Sequence, residues 1–517
     1  MLLSSMSLFI VAAGCSVQTV TAAAGPGGSS YRYASIIDNY KGQYDQVLQR
    51  DVCVIGGGAS GVHAAVSLKD LGKTVVVVER SYRLGGNTLT YLDPGTGIPI
   101  DVGVVVFQPL PVVRRFFAKF KVPMANTSTL TPNAPGQPAD LSVPAPLYQT
   151  TQVFRDLRHG TPVNLTPQEG AAVQKAVAGL AAIMAKYAYI LEGFQALPDP
   201  VPEDLIMPFG DFMTKYDLTA AIPIVFQVAQ GLGSLLHLPT IYVIKYFNLG
   251  DINAFANGYL TQAQGNNSLL YTRAAEYLGD SNILYESTVI QANRPKRGGQ
   301  KQPSELLVST SDGGVSLLTC GQILLTIPPT LANLAGWDLT PEEHAVFSQF
   351  TASTGYWTGL IRGLGKGLNQ TVAYQNAAPS SSFHLPVLGP ALYNVAAVGV
   401  LDDVWWIKVG ADTATLPDEQ IKMRAIREVQ KLQNASGGRV SVTEPEWLIF
   451  DSHAPFMMQV RPEVIRRGFY KKLMRLQGGL GGSMFYSGAA FHTHYSGYLW
   501  RYNEDVVIPL MVRKTGN

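Results

Sequence analysis

The clearest pattern of apolar and polar segments along the chain begins at Asp51. It consists of a short apolar strand, a glycine-rich turn, an amphipathic helix that stops at Gly72, and a second apolar strand that ends in Glu79. Short, fully apolar strands that flank a helix are typical of a parallel sheet buried on both faces. The pattern therefore predicts a β-α-β unit of an α/β fold.

The turn of this unit has the spacing G-x-G-x-x-G. Gly56 permits a tight turn, Gly58 lets the backbone approach a pyrophosphate, and Gly61 allows the helix to pack closely on the strand. Ala59 and Ser60 then begin the helix, whose unpaired N–H groups and positive dipole end favour phosphate. These residues predict a site for a dinucleotide.

A second set of residues extends the predicted dinucleotide site. Glu79 stands 18 residues beyond Gly61, where its carboxylate accepts hydrogen bonds from ribose hydroxyls. Arg80 follows, and then a second glycine turn. NAD-binding enzymes do not need this second turn, so its presence favours FAD over NAD. The members of the turn assigned to the cofactor are Gly85, Gly86 and Asn87.

The run from Glu79 to Asn87 resembles the E-R-x-x-R-x-G-G-R segment of the flavin amine oxidase and phytoene desaturase superfamily, with Asn87 in place of the final Arg. Near the other end, Gly488 and Ala489 lie in a segment that resembles the superfamily's Y-x-G-E turn, with Ala489 in place of the acid. The strand at 281–292 resembles the one that contacts adenine, and there the resemblance implies a backbone contact from Val289.

The sequences GGNTLTY, SHAPF and YSGAAFHTHYSGYLWRYNED together resemble the fungal β-cyclopiazonate dehydrogenase family. The resemblance extends over most of residues 50–517. It implies a glutathione-reductase-type, Rossmann-like FAD-binding domain that is discontinuous, with an inserted α+β substrate domain. We expect residues 48–110, 255–330 and 450–517 in the FAD-binding domain and residues 111–254 and 331–449 in the substrate domain.

The resemblance also brings forward candidates for acid–base chemistry near the flavin. They are Tyr91, after the second glycine turn, and His492 and His494, after the C-terminal turn. A histidine has a near-neutral pKa suited to removing a substrate proton, although packing around the flavin would explain these residues as well. Amine oxidases carry a lysine near the flavin, and the corresponding stretch, 351–363, has none.

One segment of the predicted substrate domain has two possible interpretations. Residues 220–247 are strongly apolar, which predicts core packing more readily than the lining of a pocket for an apolar substrate. Lys245 is the one charge in the sequence IYVIKYF. A lysine that extends its amine to the surface is the favoured interpretation, and an anchor for a substrate carboxylate is the alternative.

Composition narrows the class of protein. The 517 residues are 46% hydrophobic and 15% charged, and the formal net charge is +2. A nucleic-acid-binding protein would show a basic surplus, and a disordered chain would be poor in apolar residues. The eight histidines are scattered and no cysteine accompanies them, so we expect no metal site. No segment is long and apolar enough to predict a membrane span.

The N-terminus predicts secretion. Residues 1–24 have an apolar stretch and end in three alanines, as a cleaved signal peptide does, although Cys15 also fits a lipoprotein cleavage site. Five N-x-S/T sequons follow. Cys53 and Cys320 both lie in apolar surroundings and are interpreted as small buried hydrophobic residues rather than a disulfide. The sequons are at Asn126, Asn164, Asn266, Asn369 and Asn434.

Three functions fit these features. The leading hypothesis is a secreted FAD-dependent oxidoreductase that dehydrogenates, and in some cases cyclises, a mostly apolar small molecule and passes the electrons to molecular oxygen. The alternative is a redox-neutral isomerase of polyunsaturated fatty acids, which needs no electron acceptor. A third reading has FAD as a structural or light-sensing group. The sequence leaves the substrate, the oligomeric state and covalent attachment of FAD open.

Overall fold

The computed structural model describes residues 44–129, 151–165, 170–295, 302–436 and 444–513, so the predicted signal peptide lies outside the described residues. The strands, in chain order, are β1 (Gln46–Ile55), β2 (Val75–Val78), β3 (Leu89–Leu92), β4 (Pro99–Gly103), β5 (Met124–Asn126), β6 (Thr151–Asp156), β7 (Thr161–Pro162), β8 (Leu260–Gln262), β9 (Ile283–Leu284), β10 (Ser287–Asn293), β11 (Ser304–Thr310), β12 (Val315–Leu325), β13 (Ala352–Ser353), β14 (Gly355–Arg362), β15 (Val372–Asn376), β16 (Ala391–Ala397), β17 (Val404–Ala411), β18 (Glu446–Ser452), β19 (Met458–Gln459) and β20 (Met484–Tyr486).

Helices fill most of the connections between these strands. They are α1 (Ala59–Asp70), α2 (Pro111–Lys119), α3 (Gly170–Met184), α4 (Glu203–Ile206), α5 (Phe209–Lys215), α6 (Ile222–Val228), α7 (Thr240–Ile244), α8 (Leu249–Asn257), α9 (Ser268–Leu278), α10 (Pro341–Phe347), α11 (Asp418–Ala435), α12 (Pro462–Arg466), α13 (Phe469–Arg475), α14 (Gly479–Gly482), α15 (Ser496–Tyr502) and α16 (Ile508–Arg513).

The first sheet has seven strands and carries the predicted β-α-β unit. Its order is β10-β11-β12-β1-β2-β9, with β20 paired to the end of β12. Strands β20, β12, β1, β2 and β9 run parallel, and β10 and β11 complete one side as antiparallel strands. Because β2 is fully buried, its four valines form the unbroken apolar run expected of a parallel strand. The α/β prediction is confirmed.

A disulfide joins neighbouring strands of this sheet and overturns one prediction. Cys53 on β1 and Cys320 on β12 are bonded, with Cα atoms 5.8 Å apart. Both residues are fully buried. The interpretation as unpaired hydrophobic residues was wrong because it treated the strands separately. Parallel pairing of β1 with β12 brings the two side chains together across 267 residues of chain.

The second sheet is built from strands between residues 151 and 452. Its order is β18-β14-β17-β16-β15-β6-β7, and all its pairs are antiparallel except β15 with β6. One face packs on α11 through a core that includes Trp357 and Trp405. The opposite face packs on the β3–β4 hairpin through Leu360 and Val404. The sheet is thereby held against the part of the chain that follows the second glycine turn.

The apolar segment at 220–247 folds into short helices rather than strands. Side chains such as Ile222, Val225 and Ile241 are fully buried in the main core, which confirms the favoured interpretation for them. Ala220, Ile224 and other residues at the start of this segment line a cavity instead. The segment therefore combines the two alternatives, because successive helical faces point in different directions.

Candidate functional site

The two glycine turns meet at the carboxyl ends of β1 and β2. The backbone N–H of Gly85 donates to the carbonyl of Gly57 at 2.8 Å, so the second turn lies on the first. A Cβ on Gly86 would lie 3.0 Å from the Cα of Gly58. Beside them is a cavity of about 730 Å³, called here the cofactor cavity, which reaches from β10 to the residues after β20. Its volume is within the ordinary range of ligand sites.

Helix α1 begins at this cavity with its backbone donors free of side-chain caps. Gly58 occupies the N-cap position without a side-chain hydrogen bond, and the first turn carries no acidic residue. Gly56 has φ +106°, which favours glycine, and a Cβ on Gly61 would overlap the carbonyl oxygen of Gly56. The turn is thus built for a tight bend, close packing and an anionic ligand.

Glu79 lies at the end of β2 and is buried, as its predicted position requires. Its Oε2 accepts from the N–H of Gly57 at 2.6 Å and its Oε1 accepts from the N–H of Ser81 at 2.7 Å. Each carboxylate oxygen has two lone pairs, so both keep capacity for a hydroxyl donor. The contacts fix the carboxylate at the edge of the cavity.

All the residues that the sequence assigns to the cofactor line the cofactor cavity. They are Gly56, Gly58, Ala59, Ser60, Gly61, Glu79, Arg80, Gly85, Gly86, Asn87, Val289, Gly488 and Ala489. The site fits FAD on three observations: Gly86 faces Gly58 where a Cβ on Gly86 would be tight, a helix N-terminus is uncapped, and a carboxylate stands at the strand end. The role of each residue toward FAD stays a prediction.

His494 is the predicted catalytic residue that reaches this cavity. Its Nε2 donates to the carbonyl of Phe456 at 2.6 Å, and its ring stacks on that of Phe456 with centroids 4.2 Å apart. Nδ1 has no hydrogen-bond partner. Burial lowers the pKa of His494 to about 3, so the ring is neutral at physiological pH and Nδ1 carries a lone pair.

The other two predicted catalytic residues do not line the cofactor cavity. His492 is buried between Tyr498 and Tyr502, and its Nε2 donates to the carbonyl of Leu191 at 3.1 Å. Burial lowers the pKa of His492 to about 3. Tyr91 lies on β3 and packs against the apolar cluster between the hairpin and the second sheet. Successive side chains in these segments point in different directions, so Tyr91 and His492 do not reach the cofactor cavity.

A histidine–carboxylate pair on the cavity wall went unnoticed in the sequence. His453 lines the cavity, and its Nε2 lies 2.9 Å from Oδ2 of Asp451. Because the carboxylate accepts from Nε2–H, Nδ1 is left as the acceptor. Arg83 lies 3.9 Å from the same Oδ2 and donates to the carbonyl of Gly86, which links the pair to the second glycine turn. The spacing D-x-H at the end of β18 was the available signal.

Lys245 is buried and not a surface lysine, so that interpretation was wrong. It is 3% exposed, and its Nζ lies 3.5 Å from the carbonyl oxygen of Ala489. The amine also stands 4.9 Å from the ring centre of Phe194. Burial lowers its pKa to about 7. The short helix α7 is buried, so the amine at the end of the Lys245 side chain lies against the C-terminal turn rather than in solvent.

The second sheet carries another lysine, Lys408, which is not among the residues that line the cofactor cavity. Strand β14 carries no lysine from Gly355 to Arg362, as the sequence shows. Lys408 on β17 stands directly opposite Thr358 of β14, and directly paired residues share one face of a sheet. The Thr358 hydroxyl donates to the carbonyl of Val102 on β4 at 2.8 Å. Lys408 therefore faces the β4 side of the sheet, and burial lowers its pKa.

The sequence comparisons agree with this geometry. Residues 54–120 match the family model of an NAD(P)-binding Rossmann-like domain. The chain is 36% identical over 484 residues to the FAD-dependent oxidoreductase oblC of Cochliobolus heterostrophus, covering 92% of this chain and 94% of the relative. The fold and the glycine-lined cavity define the class: this is an FAD-dependent oxidoreductase.

A second relative defines the family more narrowly. The β-cyclopiazonate dehydrogenase of Aspergillus oryzae is 31% identical over 470 residues, covering 89% of this chain and 92% of that enzyme. The chain therefore belongs to the family of fungal FAD-dependent oxidoreductases that contains this dehydrogenase.

Solved structures show the same fold. A fatty acid isomerase from P. acnes superposes with a TM-score of 0.66 at 17% identity, over 89% of this chain and 98% of that one. Putrescine oxidase superposes with a TM-score of 0.58 at 15% identity, over 90% and 100%. At these identities the likeness establishes the fold alone.

Two further features concern metal ions and membranes. No group of three or more histidine, cysteine, aspartate or glutamate side chains there is arranged to hold a metal ion. None of the helices within those residues has the length and apolarity needed to cross a membrane.

Proposed function

We propose that this FAD-dependent oxidoreductase removes a hydride from a mostly apolar small molecule and passes the electrons to molecular oxygen. The observation that carries the proposal is the wall of the cofactor cavity formed after β18 and after β20. There His453 and His494, each with an acceptor Nδ1, stand beside the ring of Phe456. This wall presents proton acceptors within apolar surroundings.

FAD, when bound, supplies the hydride acceptor, and the protein's contribution is to position the substrate and to move its proton. Of the two histidines, His453 is the better general base. The carboxylate of Asp451 fixes its tautomer and stabilises the charged ring that forms when Nδ1 takes a proton. Burial and the nearby amine of Lys245 make the charged form of His494 costly, so the role proposed for its ring is to pack against the bound molecules and orient them.

The Lys408 amine supports the use of oxygen. It lies on the face of the second sheet that packs toward β4, and among the described residues it has no carboxylate partner. A positive charge near a reduced flavin favours electron transfer to oxygen, because the first product of that transfer is an anion. In this proposal Lys408, on the strand paired with β14, takes the role of the lysine that β14 lacks.

Action outside the cytosol is part of the proposal. The Cys53–Cys320 disulfide supports it, because such bonds persist in oxidising compartments and are rare in the cytosol. Asn164, Asn369 and Asn434 belong to sequons and are exposed, so glycosylation is sterically open there. Both features agree with the leader predicted from the sequence.

The proposal is tested by anaerobic mixing of the FAD-loaded protein with a panel of apolar C–H donors. β-Cyclopiazonate, the substrate named for one relative, is the first compound to try. Bleaching of the flavin that persists until air is admitted, with release of hydrogen peroxide, is the expected result. Polyunsaturated fatty acids belong in the same panel. A rearranged product formed without net bleaching or oxygen use would replace the proposal with redox-neutral isomerisation.

A further inference from the structure

A second cavity lies in the inserted region, and nothing above assigns it a role. It measures about 770 Å³ and is called here the distal cavity. Its walls come from β6, α6, the end of β15 and the loop before β16. It is large enough for a drug-sized ligand. The residues that characterise it are Arg155, Ile224, Phe226, Gln227, Gln375 and Leu385.

The lining of the distal cavity is mostly apolar, and its polar groups are amides, the imidazole of His384, the hydroxyl of Tyr393 and a single permanent charge. Gln227 and Gln375 offer neutral hydrogen-bonding groups, and neither aspartate nor glutamate is among the described lining residues. Arg155 supplies the charge, and its Nε is buried without a hydrogen-bond partner. Within the described residues its guanidinium has no ion pair, in contrast to Arg158, which pairs with Asp156 at 3.0 Å.

The Arg155 guanidinium is informative because no carboxylate stands among the described lining residues, and a buried N–H donor without an acceptor is unfavourable. Arginine presents a planar fork of N–H donors that matches a carboxylate or another delocalised oxyanion. The ligand that complements this lining has an apolar body and one anionic group. A neutral or cationic ligand would leave the guanidinium without compensation.

One layer of side chains separates the distal cavity from the cofactor cavity. The hydroxyl of Tyr356 donates to Oε1 of Gln230, which lines the distal cavity, at 3.2 Å. On its other side the Tyr356 ring lies 5.5 Å from that of His453 and 5.4 Å from that of Phe456. Tyr393, a distal-cavity residue, stands 6.3 Å from Tyr356. A ligand in the distal cavity is therefore separated from His453, the proposed general base, by the ring of Tyr356.

We infer that the distal cavity is a separate site for a small molecule with an apolar body and one anionic group, which pairs with Arg155. The inference goes beyond the proposed function, because the cavity does not share a lining residue with the cofactor cavity. Two consecutive non-glycine residues in the cavity wall, Phe383 and His384, have φ of 57° and 55°. Strained backbone of this kind concentrates at ligand sites.

The test compares octanoate with octanol, which differ in charge but share the apolar chain. Calorimetric titration of the FAD-loaded protein is expected to show octanoate binding at least tenfold tighter. Arg155→Gln removes that preference. Arg155→Lys keeps a preference of threefold or more, because the charge remains without the planar fork. Arg362→Gln, which changes an exposed arginine paired with Glu446, is the control and leaves the preference unchanged.

A second variant tests the place of binding. Ala220 lines the distal cavity, and Ala220→Trp places an indole ring in it, so both compounds are expected to lose affinity. Equal affinity for octanoate and octanol, a preference that survives in Arg155→Gln, or unchanged binding to Ala220→Trp would each overturn the inference. The readout needs no flavin reduction. Binding as expected without reduction by any panel compound would therefore refute the proposed function alone.

Discussion

Oδ2 of Asp451 lies 2.9 Å from Nε2 of His453, where β18 ends at the cofactor cavity. The contact leaves Nδ1 of the histidine as the proton acceptor. It also places a negative charge behind the ring, where it stabilises the protonated form. Since Arg83 connects the same carboxylate to the second glycine turn, the base and the cofactor site are held by one network.

Asp451→Asn is expected to slow anaerobic flavin reduction by the panel compound that bleaches the flavin fastest. A loss of roughly 10- to 100-fold follows from misplacing the tautomer and removing the stabilising charge. Stopped-flow absorbance measures the rate, and flavin content shows that the site is intact. Asp402→Asn, at an exposed position, is the matched control. Reduction at the parent rate in Asp451→Asn would rule out the pair as the base.

Gly86→Ala is expected to lower the flavin content of purified protein by at least tenfold. The added Cβ would lie 3.0 Å from the Cα of Gly58, in the backbone gap where the cofactor's phosphates belong. Gly97→Ala is a matched control. Gly97 also has positive φ, +72°, but nothing lies within 4 Å of its Cβ position. Similar flavin content in the two variants would place the phosphates elsewhere.

Lys245 predicts a pH dependence of stability. Burial lowers its pKa from 10.5 to about 7, so between pH 7 and 10.5 the unfolded chain binds more protons than the folded one. The contribution of Lys245 therefore makes stability rise with pH across this window. Lys245→Met is expected to be more stable than the parent near pH 6, with the difference disappearing by about pH 10.5.

Urea unfolding at several pH values measures this difference. Lys175→Met replaces an exposed lysine on α3 and serves as the control, with no change in the pH profile. An advantage of Lys245→Met that stays constant from pH 6 to 10.5 would mean that the amine is not desolvated in the folded protein.

Removal of the disulfide is expected to lower the free energy of unfolding. The bond closes 267 residues of chain, and bonds of this kind contribute roughly 2–4 kcal/mol. The double variant Cys53→Ala, Cys320→Ala is compared with the parent by urea unfolding, with and without reductant. Reductant should destabilise the parent and leave the variant unchanged. Two alkylatable thiols at these positions in the unreduced, unfolded parent would contradict the pairing.

The sequence was most informative where local chemistry fixes the structure. The glycines at 56, 58 and 61 and the acid at 79 are required by a turn and a strand end that lie close together along the chain, so their positions in the cavity could be predicted. Contacts between strands that are far apart along the chain could not be predicted from the sequence. The disulfide depends on the pairing of β1 with β12, and the position of Lys408 depends on its register with Thr358.

Histidines illustrate the same limit within one short segment. His492 and His494 are two residues apart after the C-terminal turn, and only the second lines the cofactor cavity. His453 was overlooked because its partner, Asp451, becomes significant only once β18 is seen to end at the cavity. The sequence predicted which segment lies near the cofactor cavity, but only the tertiary structure shows which of its side chains reach the cavity.

The most direct test of the account is the reaction of the reduced protein with oxygen, because it needs no substrate. The FAD-loaded protein is reduced with dithionite without air, freed of excess reductant and mixed with aerated buffer. We expect the flavin absorbance to return with one hydrogen peroxide released per flavin, and Lys408→Met to slow that return about tenfold or more, in line with the loss of one charge at a preorganised site. Arg362→Gln should behave as the parent does. Flavin that stays reduced for many minutes in aerated buffer would contradict transfer of electrons to oxygen.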